Sequence, residues 1–139
     1  MKNRSETEIM NKIIIADDSS TARMFLQRSL EIAGLRNVTF LEAENGKLAY
    51  ELLEKEGCDM VITDLNMPEM DGTELLKKIQ AEERFQDIPV LVITSVKNPA
   101  KMKELIKIGA FAVLAKPVSP PMLAKALQPF IPEKGKSAW

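Results

Sequence analysis

Short runs dominated by apolar and β-branched residues recur along this chain at residues 13–16, 38–41, 61–64, 89–94 and 111–115. Between them lie stretches in which apolar residues return at helical spacing. A run with no polar alternation needs cover on both of its faces, which is the mark of a strand buried between two layers. Strict alternation of such strands with helices predicts one parallel sheet with helices on both sides. The crossovers joining parallel neighbours are then right-handed.

The helical stretches carry their own punctuation. Ser19, Ser20 and Thr21 offer amino-terminal caps to a first helix whose stripe is Ala22, Phe25, Leu26, Leu30 and Ala33, stopped by Gly34. Asn45-Gly46 opens a second helix, carrying Leu48, Ala49, Leu52 and Leu53 and closed by Gly57. Leu75, Leu76 and Ile79 mark a third helix, and Met102, Leu105 and Ile106 a fourth that begins at Asn98-Pro99. Ser119-Pro120 starts a fifth, carrying Met122, Leu123, Ala126 and Leu127 and limited by Pro129. At 139 residues the chain has room for one domain. We place it at residues 12–131, with a polar tail at 1–11 (a helical turn is expected around 6–10) and a frayed tail at 132–139.

What the chain lacks narrows its chemistry. It has no histidine, which excludes Ser-His and Cys-His catalysis and histidine-ligated zinc. Cys58 is the only cysteine, so there is neither an internal disulfide nor a thiolate metal cluster, and it reads as a small, inert residue in or near the core. A formal net charge of -1 argues against a nucleic-acid surface, and basic pairs such as Lys77-Lys78 read as solvated helix faces. No apolar stretch reaches the roughly 18 to 20 residues that span a bilayer. With no signal peptide in the opening residues, a cytoplasmic protein is expected.

Chemistry therefore has to run on carboxylates, hydroxyls and lysine, and these gather at strand ends. The apolar run Val61-Ile62-Thr63 ends in Asp64, and the chain then turns through Pro68 and Gly72. The first run ends in Asp17-Asp18, the fourth in Thr94, the fifth in Lys116. In an open parallel sheet, ligands bind in the crevice beyond the carboxyl ends of the strands. Taken singly, each group has a blander role: an acid caps a helix, a threonine forms a turn, a lysine is solvated. Taken together they converge on one rim. Two carboxylates about 4 Å apart repel by roughly 4 kcal/mol at an effective dielectric near 20, so such a rim wants a cation. An all-oxygen donor set points to magnesium, or manganese in its place. Carboxylates, a lysine and a hydroxyl around such an ion make a phosphoryl-transfer site, in which an aspartate can itself be the nucleophile.

In these residues the chain resembles the receiver domain of two-component response regulators, in its stand-alone, chemotaxis-regulator-like form. The resemblance covers residues 12–130. It rests on Asp17-Asp18 after the first strand, Asp64 with Met67-Pro68 and Gly72 after the third, Thr94-Ser95 after the fourth and Lys116-Pro117 after the fifth. It implies a flavodoxin-like, doubly wound (βα)5 fold with a five-stranded parallel sheet. It implies that Asp64 is the phosphoacceptor, and that Asp17, Asp18, Asp64 and the backbone carbonyl of Asn66 hold Mg2+, with Mn2+ a possible substitute. Lys116 would pair with the phosphoryl oxygens, Thr94 would move toward them, small Ser95 would leave room, and the bond to Pro117 would be cis. The expected donor is a sensor histidine kinase or histidine phosphotransfer protein. The output is protein–protein signalling or onward phosphoryl relay by a monomer or weak dimer, with autodephosphorylation the only turnover.

One position departs from the family. Three residues before the lysine, where an aromatic ring often serves the switch, this chain has Val113. The expected readout shifts to the loop after Thr94 and the fourth helix. Two other functions compete. A magnesium-dependent aspartyl-phosphate phosphatase of the dehalogenase type wants an acid two residues after the nucleophile, where Asn66 stands. A receiver-shaped interaction module that is never phosphorylated should have lost an acid or the lysine, and none is lost. Flavin binding would need a glycine- and hydroxyl-rich phosphate loop after the first strand, and Asp17-Asp18-Ser19-Ser20-Thr21 has no glycine.

Overall fold

In the computed structural model, which describes residues 10–131, the strands are β1 (Lys12–Ala16), β2 (Thr39–Ala43), β3 (Met60–Asp64), β4 (Val90–Thr94) and β5 (Ala112–Ala115). They form one parallel sheet in the order β2-β1-β3-β4-β5. The helices are α1 (Ser20–Ala33), α2 (Gly46–Glu56), α3 (Gly72–Ala81), α4 (Pro99–Ile108) and α5 (Pro120–Ala126), followed by a short 3-10 turn at Gln128–Phe130. This is the doubly wound (βα)5 architecture that the alternation implies. Most of both expected tails lies outside the described residues. Met10, assigned to the first tail, is buried beside β1.

Side-chain alternation along the central strands explains their unbroken apolarity. Ile13 and Ile15 face α1 and α5, where Leu26, Leu30, Leu123 and Leu127 close over them. Ile14 and Ala16 face the other way, against Ala49, Leu53, Leu75, Leu76 and Ile79 of α2 and α3. Ile13, Ile14 and Ile15 are each fully buried. Truncating any such side chain costs about 2 to 5 kcal/mol, so these two layers hold the fold.

The helices start where polar caps satisfy their free N–H groups. The side chains of Ser19, Asn45, Asn98 and Ser119 each accept a backbone N–H of the first turn, and Asp71 forms a reciprocal box with Glu74. Gly34 ends α1 at φ 127, a backbone conformation open to glycine and strained for other residues.

Several expected boundaries and core positions shift. β2 runs to Ala43 because its ladder with β1 continues from Lys12↔Thr39 to Ala16↔Ala43; exposed Glu42 interrupts the apolar pattern that would have shown this. Phe25 is 55% exposed and Ile106 48% exposed, although both fall on expected stripes; Leu48 and Met122 are also exposed. A helix lying on a sheet buries one narrow row, Leu26 and Leu30 in α1 and Leu105 in α4, and the residue beside that row faces solvent. No helix among the described residues is long and apolar enough to cross a membrane.

Candidate functional site

The strand order reverses at β1: the chain passes from β1 out to β2, then returns to β3 on the other side. The carboxyl ends of β1 and β3 therefore flank a switch point, where the helices diverge and a crevice opens. Asp17 follows β1 and Asp64 ends β3, so topology brings together acids that are far apart in sequence. A carboxylate oxygen from each of Asp17, Asp18 and Asp64 lies within 4.8 Å of the others.

Each acid is held differently. Asp17 is buried; its Oδ1 accepts the Ser19 N–H at 2.9 Å and its Oδ2 accepts from Lys116 Nζ at 3.1 Å. Asp64 accepts the Leu65 N–H on Oδ1 at 2.7 Å, while its Oδ2 stands 3.4 Å from Lys116 Nζ. Asp18 is exposed, so its aim toward the other two depends on its backbone. The Asp17 peptide is pinned twice, by its N–H donating to the Ala43 carbonyl at 3.0 Å and by its own carbonyl accepting from Arg23 Nη1.

The loop after Asp64 folds back tightly. Gly72 donates its N–H to the Leu65 carbonyl at 2.8 Å, and a Cβ at Gly72 would fall 2.3 Å from the Asp64 carbonyl oxygen, so a side chain there would push the loop away. Met70 accepts from the Gly46 N–H at 2.9 Å, which ties this loop to the start of α2, and Glu69 sits at φ 68 within it. Asn66 is exposed in the same loop.

Lys116 follows β5 and reaches across the rim to buried Asp17 and half-buried Asp64. Its N–H donates to the Thr94 carbonyl at 2.8 Å, extending the β4–β5 ladder beyond the Thr94↔Ala115 pair. The Lys116–Pro117 peptide is cis. Thr94 is buried, and its hydroxyl accepts the Val96 N–H at 3.0 Å, holding the turn that leads to α4; Ser95 beside it is exposed. Val113 is half-buried and packs against the α2–α4 layer.

Burial and charge pairing divide the electrostatics between them, and burial wins at Asp64. It pushes the Asp64 carboxyl above its ordinary range; the Lys116 charge and the Leu65 N–H pull it down without overcoming that, and Asp17 adds to the rise. Burial also opposes the charge on Lys116, but its hydrogen bond to Asp17 and the charges of Asp64 and Asp17 outweigh this and leave the ammonium more firmly protonated than a free lysine. A cavity of about 220 Å³ lies beside these groups, walled by Ala22, Phe25, Leu26, Pro117 and Val118. A larger concavity of about 940 Å³ lies at the opposite rim, near Met10, Pro89 and Phe111, and contains none of the site residues.

Two residues at the site carry no signal in the sequence pattern. Arg23, in the first turn of α1, bridges the Asp17 carbonyl and Glu42, its Nε lying 2.8 Å from Glu42 Oε1. Thr63 is fully buried and donates its hydroxyl to the Asp64 carbonyl at 2.8 Å. An arginine five residues after an acid reads as a solvated helix residue until the fold brings β2 beside it.

The donor set suits a hard divalent ion. Three carboxylates against one ammonium leave two negative charges, all the donors are oxygens, and one member is open to solvent. Two of these carboxylates, no more than 4.8 Å apart, repel by at least roughly 3.5 kcal/mol at an effective dielectric near 20, which a cation between them would reverse.

Comparison with known proteins identifies the family. Residues 13–128 match the family model of the response regulator receiver domain. A chemotaxis protein CheY homolog of Campylobacter jejuni is 39% identical over 118 residues, covering 84% of this chain and 89% of its own. The chemotaxis protein CheY1 of Helicobacter pylori is 38% identical over 118 residues, covering 84% of this chain and 94% of its own. The solved structure of the chemotaxis response regulator CheY4 of Vibrio cholerae superposes with a TM-score of 0.76 at 31% identity, covering 88% of this chain and 99% of that one.

Proposed function

The chain belongs to the response regulator receiver domain family, and from that premise we propose that it is a phosphorylatable switch with Asp64 as its phosphoacceptor. The observation that carries this reading is the meeting of Asp17, Asp18 and Asp64 with Lys116 at the β1–β3 switch point. In the proposed reaction an Asp64 carboxylate oxygen attacks the phosphorus of a phosphohistidine on a kinase or phosphotransfer protein. The new O–P bond forms as the N–P bond breaks, and the departing imidazole nitrogen keeps the electron pair and takes up a proton.

Asp17, Asp18, Asp64 and the Asn66 carbonyl are the groups that would hold Mg2+, or Mn2+ in its place. When bound, the ion neutralises charge developing on the transferred phosphoryl oxygens. The chain's own residues do the rest. Lys116, already poised between two carboxylates, exchanges part of that pairing for phosphoryl oxygens. Thr94 releases the Val96 N–H to donate its hydroxyl to the same group, and exposed Ser95 leaves space beside it. The modification adds close to two negative charges, so the pairings at the rim are redrawn and a surface beyond it is switched. The domain at 12–131 acts in the cytoplasm, as a monomer or weak dimer. It signals to a protein partner, as the chemotaxis names of its relatives suggest, or relays the phosphoryl onward, and loses it by autodephosphorylation.

Acetyl phosphate with magnesium tests this directly, read by intact mass. Wild type should gain the mass of one phosphoryl group, labile to hydroxylamine, and Asp64→Asn should gain none. A modified Asp64→Asn, or an unmodified wild type, would refute the assignment.

A further inference from the structure

We propose that Arg23 is a positioning residue for the cation site, clamping the Asp17–Asp18 peptide to β2 through paired hydrogen bonds to the Asp17 carbonyl and the Glu42 carboxylate. The proposal rests on the reading of Asp17, Asp18 and Asp64 as cation ligands. Asp17's carboxylate is fixed by Ser19 and Lys116, and Asp64's by Leu65 and Lys116. Asp18 is exposed, and its direction follows from the peptide that joins it to Asp17. The carbonyl of that peptide is the group that Arg23 Nη1 holds.

The clamp is built for geometry. Arg23's side chain is 15% exposed and Glu42's 46%, so the arginine is largely covered while its partner reaches in from the edge strand. The Nε–Oε1 distance is 2.8 Å, and the hydrogen bond from Arg23 holds the Glu42 carboxyl below its ordinary range. A bare arginine beside three carboxylates would compete with a divalent ion. Paired with Glu42 it is locally neutral, and what remains is the orientation it imposes. Two donors in a fixed fork can serve a carbonyl and a carboxylate at once, whereas a lysine's single ammonium cannot hold both in the same geometry.

Charge and geometry predict opposite results, which makes the proposal testable. Mg2+ affinity should be measured by titration of the unphosphorylated protein, followed by amide chemical shifts, in wild type, Arg23→Lys and Arg23→Met. Unfolding midpoints without metal would be recorded alongside. We expect both variants to bind Mg2+ about tenfold more weakly or worse, the usual consequence of losing a group that orients a metal ligand. Arg23→Lys, which keeps the charge and is the milder change for folding, decides the matter if Arg23→Met does not fold. Wild-type affinity in Arg23→Lys, or tighter binding in Arg23→Met, overturns the clamp. So does a fall in the unfolding midpoint with unchanged Mg2+ affinity. If wild type itself binds no Mg2+, the cation-site reading fails first, and that result is distinguishable from the failure of Arg23 alone.

Discussion

Asp64 is caught between two demands. In the proposed phosphoryl transfer it must be ionised, yet burial in the β1–β3 crevice favours its neutral form, and the Lys116 charge offsets this only in part. A carboxyl whose folded pKa lies above its unfolded value of about 3.9 binds more protons in the native state across that interval, so native stability falls as pH rises through it. The penalty is complete above the raised value and absent below the unfolded one. Metal-free Asp64→Asn should therefore melt at a higher temperature than wild type at pH 7, with the gap closing as pH drops toward 3. A variant less stable than wild type at neutral pH would show that the Lys116 pairing outweighs burial. Cys58, by contrast, has no part in the chemistry: burial pushes its thiol up to about 12, which leaves it un-ionised and inert.

Among the elements, α4 is the one poised to respond. It buries only Leu105 fully, and the turn leading to it is held by the Thr94 hydroxyl accepting from Val96 and by the Asn98 cap. Turning the Thr94 hydroxyl toward a phosphoryl group removes the first of these restraints. Val113 has no ring to relocate, so we propose this turn as the path by which the site reaches the surface. Phosphorylation should shift backbone amide resonances from Ser95 to Ile108. Unchanged resonances across that segment would mean that the signal leaves by another route.

For the whole molecule, a cation held at the rim as proposed would couple ligand binding to folding, because the unfolded chain does not bring Asp17 and Asp64 together. At a hundred times its Kd, Mg2+ should stabilise the native state by about 2.7 kcal/mol, roughly 10 °C in the unfolding midpoint for a domain of this size. Asp18→Asn or Asp64→Asn should lose most of that gain, and thermal unfolding with and without chelator measures it. An equal shift in wild type and both variants would place the ion elsewhere. The strands, the helix starts and the acids at strand ends were legible along the chain, because burial on two faces and helix capping leave local patterns: Ile13 to Ile15 need cover on both sides, and Asn45, Asn98 and Ser119 announce the helices they cap. Which residue of a stripe meets solvent was not legible, since Phe25 and Leu26 are neighbours and only the docked angle of α1 separates them. Nor was the Arg23–Glu42 pair or the Lys116–Asp17 bond, whose partners lie 19 and 99 residues apart. Local sequence carries the short-range preferences of the backbone and the burial pattern of each element. Charge pairing and aim across the rim are set by strand order and register, which exist only once the sheet has assembled.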